Sequence, residues 1–374
     1  MFNSNILKNE EKAVFALRSL YRKYGYTPFK MSKFEEYDLY VRNKDFLVSD
    51  SVITFTGMNG KLLALKPDVT LSIVKNTKDL PDTVQKVYYN ENVYRVSKNT
   101  HEFKEIMQTG LECIGNIDVY NIYEVITLAA KSLEAISDSY VLDLSHIGII
   151  SAVIDALGCD RETGRAILTC IGEKNQSGIE KICAEKGIAA DACQKLISLV
   201  GTYGKIEKVL PTLEAICDTD ELKSALSEFT SICNLLVSGG LGDRINIDFS
   251  IATDMRYYNG VVFQGFVENV PTGVLSGGQY DNLMKKMGRK SGAIGFAVYL
   301  DTLERLNLTA KKYDVDCVLL YDTDCIAADL ADAVNTLVAE GKTVMAQQNV
   351  PENIKYKQLL KLNGKEVDIL ENND

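Results

Sequence analysis

Histidine is scarce in this chain: His101 and His146 are the only two. An imidazole-based catalytic triad or a histidine-built metal site is therefore hard to assemble, and with no acidic cluster at metal-ligand spacing neither metal nor cofactor is expected. Paired cysteines are missing as well. Nine are scattered from Cys113 to Cys325 without C-x-x-C spacing, which points away from zinc or a disulfide scaffold and toward buried, reduced, small hydrophobes. No stretch approaches the ~18 apolar residues of a membrane span. The start, Met1-Phe2-Asn3-Ser4-Asn5, has no basic segment leading into an apolar one, so a cytosolic protein with no membrane partner is expected. Positive charge is also in deficit, with 41 Lys and Arg against 51 Asp and Glu and a net charge of -10. No overall positive field exists to collect nucleic-acid phosphates, although a local basic face can hold tRNA, so the motifs must decide.

What the chain does have is material for a core. Its 374 residues are 46% hydrophobic, enough for two or three domains. Val14, Leu17, Tyr21 and Tyr24 recur at helical spacing over residues 11–24, and Gly25 ends that helix. Two alternating runs, 52–55 and 61–65, flank Gly57-Met58-Asn59-Gly60 and predict a hairpin. Residues 118–137 read as helix and 140–144 as strand, and 147–237 is a helical stretch broken at Gly158, Gly172, Gly187 and Gly204. Beyond Gly239-Gly240 strands resume, with Ile245, Ile247 and Phe249 alternating with Asn246, Asp248 and Ser250. The tail predicts a strand at 315–321, a helix at 326–340 and short strands at 343–346 and 366–370. The expected organisation is α+β: a discontinuous sheet domain over 1–145 and 241–310, a helical insertion at 146–240, and a small α/β appendage at 311–374.

Four segments carry candidate chemistry. In Leu65-Lys66-Pro67-Asp68-Val69-Thr70, Asp68 and Thr70 project from one face of an extended segment, and a carboxylate beside a hydroxyl suits an ammonium group. For these residues alone, a solvated loop after the hairpin is the favoured account. In Tyr94-Arg95 and residues 104–115, period two puts Gln108, Gly110 and Glu112 on one face and Met107, Thr109, Leu111 and Cys113 on the other. If the first face is buried, Glu112 needs a partner; if the sheet is one-sided, that face is simply wet. Residues 254–263, with Tyr257-Tyr258-Asn259, and Ser276-Gly277-Gly278-Gln279-Tyr280-Asp281 complete the set. Alone, they read as half-buried strand tyrosines and a glycine turn.

In order, these segments resemble histidyl-tRNA synthetase, a class II aminoacyl-tRNA synthetase, over roughly residues 10 to 310. The Pro67-Asp68-x-Thr70 segment is similar to the family's Pro-Glu-x-Thr that holds the histidine amino group. Arg95 resembles the class II motif 2 arginine, with Gln108 and Glu112 at positions that read the amino acid. Tyr257-Tyr258 and Gly277-Gly278-Gln279-Tyr280-Asp281 resemble the Tyr-Tyr and Gly-Gly-Arg-Tyr-Asp signatures. The resemblance implies a class II synthetase-like antiparallel sheet flanked by helices. It also implies a histidine pocket of Asp68, Thr70, Arg95, Gln108, Glu112, Tyr257, Tyr258 and Tyr280, with the imidazole between Glu112 and the Tyr258 and Tyr280 hydroxyls.

The departures bear on function. Thr253 stands at the synthetase's catalytic arginine. Arg256 lies three residues along, about 10 Å away and on the opposite face of a strand, so it could substitute only through a bulge. Motif 3 should end Gly-Leu-Glu-Arg, with the arginine clamping the ATP γ-phosphate, but the chain reads Tyr299-Leu300-Asp301-Thr302, and Arg305 is one helical turn later. Val96-Ser97 replaces the His-Glu after the motif 2 arginine, and Ser32 replaces the motif 1 proline. Amino-acid readers kept and ATP readers lost is the profile of the regulatory subunits of ATP phosphoribosyltransferase. That resemblance implies a non-catalytic chain, L-histidine as allosteric ligand, a short-form catalytic subunit as partner, a homodimer within a hetero-oligomer, and no tRNA. The alternatives are a divergent histidyl-tRNA synthetase and a synthetase-like amino-acid-binding paralogue.

Overall fold

The first helix, α1 (Asn9–Lys23), carries Glu10 and Glu11 in its first turn and Arg22 and Lys23 in its last, both matched to the helix dipole. Glu11 also accepts the Lys8 backbone N–H at 2.9 Å, and Ala13, Val14, Leu17 and Tyr21 form the buried stripe. The computed structural model describes residues 7–47, 52–80, 83–96, 101–251, 257–306 and 312–373. Thr253, Arg256 and Ser97 lie outside the described residues, as does the side chain of Arg305. Two compact units result, 1–306 and 307–374.

The main sheet of the first unit runs, in spatial order, β1 (Thr27–Pro28), β5 (Gln85–Val96), β6 (Phe103–Gly115), β12 (Gly292–Tyr299), β11 (Leu275–Gln279), β10 (Val261–Val267), β7 (Tyr140–His146), β9 (Ile245–Asp248) and β8 (Tyr203–Lys205). Its pairing is antiparallel except between β1 and β5 and between β7 and β9. The second exception follows from connectivity, since a parallel neighbour needs a crossover. Six helices supply it: α5 (Ile147–Asp155), α6 (Arg161–Gly172), α7 (Gln176–Lys186), α8 (Ala190–Gly201), α9 (Ile206–Ile216) and α10 (Asp220–Ser238). Their apolar faces share one core with α1, with α4 (Val119–Glu134) and with one face of the sheet.

Alternation along the strands divides two cores. Tyr88, Leu111, Cys113 and Phe296 point into the first, whereas Val87, Tyr89 and Ile114 point to the other side. There they meet α2 (Tyr37–Arg42), α3 (Thr70–Asn76), α11 (Asp281–Lys286) and a small antiparallel sheet of β2 (Phe34–Glu36), β4 (Leu62–Leu65) and β3 (Thr54–Thr56). The β3–β4 hairpin closes at Asn59-Gly60 as the sequence predicts. The Gly57 N–H donates to Lys61 O at 2.8 Å, and Gly60 takes φ +76°, where a β-carbon is disfavoured.

One pattern reads differently in space. β9 alternates apolar and polar residues, yet all four are buried, because the strand lies between β7 and β8 and its polar groups find internal partners. Asn246 Nδ2 donates to Asp143 Oδ1 at 3.2 Å and to the Tyr203 hydroxyl at 3.0 Å, and Asp248 pairs with Lys174 at 2.7 Å. The second unit is a sheet of β14 (Val344–Gln347), β13 (Val315–Leu320), β15 (Tyr356–Asn363) and β16 (Glu366–Asn372) with helix α12 (Ala327–Ala339). The sequence pattern does not reveal β15, because Leu359 and Leu360 are consecutive and both buried, so no clean alternation of apolar and polar residues marks the strand. Among the described residues no helix is long and apolar enough to cross a membrane.

Candidate amino-acid-binding site

The face of the main sheet opposite α1 and α4 has a floor of very small side chains. Strand register places Gly295 beside Glu112 and Gly278, and Ala297 beside Gly110 and Ser276. Smallness is required at the first of these, because a β-carbon on Gly295 would collide with Glu112 Oε2. Larger side chains rise around this floor and enclose a cavity of about 250 Å3. Asp68, Thr70, Arg95, Gln108, Glu112, Tyr257, Tyr258 and Tyr280 all line it, so the structure brings the eight residues singled out in the sequence to one place.

Glu112 is the centre of the deep end. It is 2% exposed, and both carboxyl oxygens are held: Thr70 Oγ1 donates to Oε1 at 2.8 Å and the Tyr280 hydroxyl to Oε2 at 2.6 Å. The wet, one-sided sheet is thereby excluded. Burial pushes the Glu112 carboxyl up to about 8, against the hydrogen bonds from Tyr280 and Thr70 and with a further upward contribution from Asp68. Burial also raises the Tyr280 phenol well above its ordinary value, and the neighbouring Glu112 charge adds to it. The Tyr257 ring packs against Tyr258 with centroids 4.7 Å apart and against Tyr280 at 5.9 Å, making an aromatic wall.

The Asp68 segment needs a correction. Instead of continuing as an extended run with Asp68 and Thr70 side by side on one face, the chain turns: Asp68 Oδ1 accepts the Leu71 N–H at 2.9 Å and Thr70 opens α3. A carboxylate that satisfies a first-turn donor offers the backbone an alternative to extension. Both side chains still face the cavity. Burial raises the Asp68 carboxyl, opposed by the Leu71 N–H and the Arg95 guanidinium. Arg95 is fixed by its Nε bond to the Pro67 carbonyl at 3.0 Å. Two buried carboxyl groups and a guanidinium around an aromatic-walled cavity suit a small zwitterion with a basic or hydrogen-bonding end group.

Sequence reasoning missed Tyr89, Ser276 and Tyr299, which also line the cavity. The phase of β12 carried the signal for the last, since Gly295, Ala297 and Tyr299 are each two apart.

The sequence pattern of the family described as histidyl-tRNA synthetase matches residues 4–303. The chain belongs to the histidyl-tRNA synthetase family. This family member is 24% identical over 359 residues to the ATP phosphoribosyltransferase regulatory subunit of Ruminiclostridium cellulolyticum, covering 93% of this chain and 85% of that protein. Its fold matches the ATP phosphoribosyltransferase regulatory subunit/histidyl-tRNA synthetase from Bacillus halodurans with a TM-score of 0.76 at 22% identity, over 94% of this chain and 93% of that one. It also matches a chain of the ATP phosphoribosyl transferase (HisG:HisZ) complex from Thermotoga maritima, with a TM-score of 0.62 at 20% identity, over 79% of this chain and 98% of that one. The synthetase-like class II fold, with its large sheet flanked by helices, is thus shared with these solved structures.

Proposed function

We propose that this chain is a non-catalytic regulatory subunit of ATP phosphoribosyltransferase that binds L-histidine in the Glu112 cavity. It associates with a short-form catalytic subunit, within a hetero-oligomer in which it is itself dimeric, activates that subunit and makes it sensitive to histidine. The observation that carries the reading is the Glu112 arrangement, a buried carboxyl group at the cavity wall positioned by Thr70 and Tyr280. In the bound state Glu112 receives the imidazole N–H, Asp68 and Thr70 hold the ammonium group, and Arg95 offsets the carboxylate. The loss of nucleotide chemistry is supported at Thr302, which stands where the synthetase motif has arginine and whose hydroxyl is spent on the Tyr299 carbonyl at 2.5 Å. Losing one charged donor of that kind costs a reaction about 3 to 4 kcal/mol of transition-state stabilisation. The relatives described as regulatory subunits support the choice of complex.

Reconstitution tests it. Adding this chain to a short-form catalytic subunit is expected to raise phosphoribosyl transfer, and L-histidine is expected to inhibit the complex more than the catalytic subunit alone. Linkage then requires substrates to weaken histidine binding reciprocally. Histidine-dependent ATP–pyrophosphate exchange by the isolated chain would instead establish a synthetase.

A further inference from the structure

We infer that Tyr299, tethered to Ser276, is a specificity determinant that closes the cavity against any ligand extended at its carboxyl end, so that the site takes a free amino acid and rejects a carboxyl-linked nucleotide. The inference rests on the histidine-binding reading above and deepens it. Glu112 and Gln108 lie four residues apart on β6, and their neighbours on β12 are Gly295 and Tyr299. The cavity floor therefore runs about 13 Å along the strands, from the deep end to a far end. Between them the floor is Ala297 and Ser276, with Tyr89 lying over Gly110, and then Tyr299 rises from it. The Tyr299 backbone N–H donates to Val274 O at 2.8 Å, which fixes the strand. Its phenol does not swing outward, because its hydroxyl is 2.6 Å from Ser276 Oγ. Ser276 pairs with Ala297, one step nearer the deep end, so the ring leans back over the floor and narrows the cavity it lines.

The position has a direct counterpart in the motif 3 comparison. Tyr299-Leu300-Asp301-Thr302 aligns with Gly-Leu-Glu-Arg, so a phenol occupies what a glycine leaves open. With the imidazole at Glu112 and the ammonium at Asp68, the ligand's carboxylate points along the floor toward Gln108 and Tyr299. A free carboxylate ends before the ring, whereas a phosphate- or sulfamate-linked nucleoside would have to pass through it. Rejection by a fixed clash is an effective way to separate two ligands that share one recognised end. Loss of the arginine positions weakens nucleotide attraction, and Tyr299 adds steric exclusion that those losses alone do not provide.

The experiment is calorimetric titration of the full chain with two probes, L-histidine and a sulfamoyl-linked histidyl-adenosine conjugate. Wild-type protein, Tyr299→Ala and Ser276→Ala are compared. The wild type is expected to bind L-histidine and to bind the conjugate at least ~100-fold more weakly. Tyr299→Ala is expected to recover most of that difference while holding L-histidine within about threefold of wild type, and Ser276→Ala, which frees the ring without excavating the core, to recover part of it. Failure of wild-type protein to bind L-histidine would overturn the histidine reading and this inference with it. Wild-type binding of both probes with similar affinity, or a folded Tyr299→Ala that binds L-histidine normally yet gains nothing for the conjugate, would overturn the exclusion role alone.

Discussion

Replacing Glu112 with Gln separates what this residue does for the ligand from what it costs the fold. In the folded chain the carboxyl is pushed up from 4.5 to about 8, chiefly by burial. The folded state therefore holds a proton that the unfolded chain releases above its own pKa. The stabilisation from that proton is complete below the unfolded value and is lost as pH rises from 4.5 to 8, by about 1.4 kcal/mol per pH unit. At pH 7 the accumulated loss is about 3 kcal/mol. Gln has the same shape and does not ionise, so Glu112→Gln escapes it. One offset applies: the Thr70 and Tyr280 hydroxyls both donate to Glu112, and an amide nitrogen in place of one oxygen obliges one of them to reverse, which costs about 1 kcal/mol. The ligand-free variant should thus be about 2 kcal/mol more stable than wild type at pH 7, with the gain vanishing near pH 5. Histidine affinity moves the other way, falling roughly 10- to 150-fold for the loss of a charge-assisted bond of about 1.5 to 3 kcal/mol. At 100 times the wild-type dissociation constant, histidine stabilises wild type by about 2.7 kcal/mol and the variant by only about 0.3 to 1.4. Thermal and denaturant unfolding from pH 5 to 8, with and without L-histidine, reads both effects. In the reconstituted complex the variant should still activate the catalytic subunit and no longer respond to histidine. A ligand-free variant whose stability parallels wild type across that pH range, or one that keeps the full histidine shift, would falsify the placement of Glu112.

Other outcomes follow from the same contacts. Between about pH 6.5, the ordinary imidazole value, and 8, unbound Glu112 and histidine together hold the single proton that the bound pair shares. Affinity should be flat there and fall by up to tenfold per unit below it, with proton release seen in calorimetry at pH 5.5; proton uptake at that pH contradicts the pairing. Gly295→Ala sets a methyl against Glu112 Oε2, and is expected to cost about 1 to 3 kcal/mol in denaturant unfolding and to abolish histidine binding. His146 is 3% exposed, and burial lowers its imidazole to about 4. Its contribution, present above the unfolded value of 6.5, is lost as pH falls toward 4. His146→Phe should therefore lose about 2 to 3 kcal/mol less than wild type between pH 7 and 4.5, and identical acid sensitivity in the two proteins counts against this burial.

The sequence by itself determined the elements whose signals are local. The helical stripe of Val14, Leu17 and Tyr21, the Asn59-Gly60 turn, and the alternation that sends Gln108 and Glu112 to one face of β6 and Leu111 and Cys113 to the other all rest on neighbours a few residues apart, and each recurs in the structure. The eight candidate pocket residues were legible only as ordered motif matches, since spacing alone left Asp68, Glu112 and the tyrosines open to plainer readings. Tertiary structure decided the rest, because the deciding partners are far apart in the chain. Glu112 becomes a buried carboxyl, raised by that burial and held by a hydrogen bond from Tyr280, 168 residues away. Asn246 and Asp248 are buried through contacts with Asp143, Tyr203 and Lys174 that no periodicity shows. Asp68 leaves the extended path because its carboxylate finds the Leu71 N–H. Tyr299 becomes a cavity wall because β12 pairs with both β6 and β11, so the distance to Ser276 was set by strand register. Register is fixed by the packing of whole faces, and a single strand does not contain it.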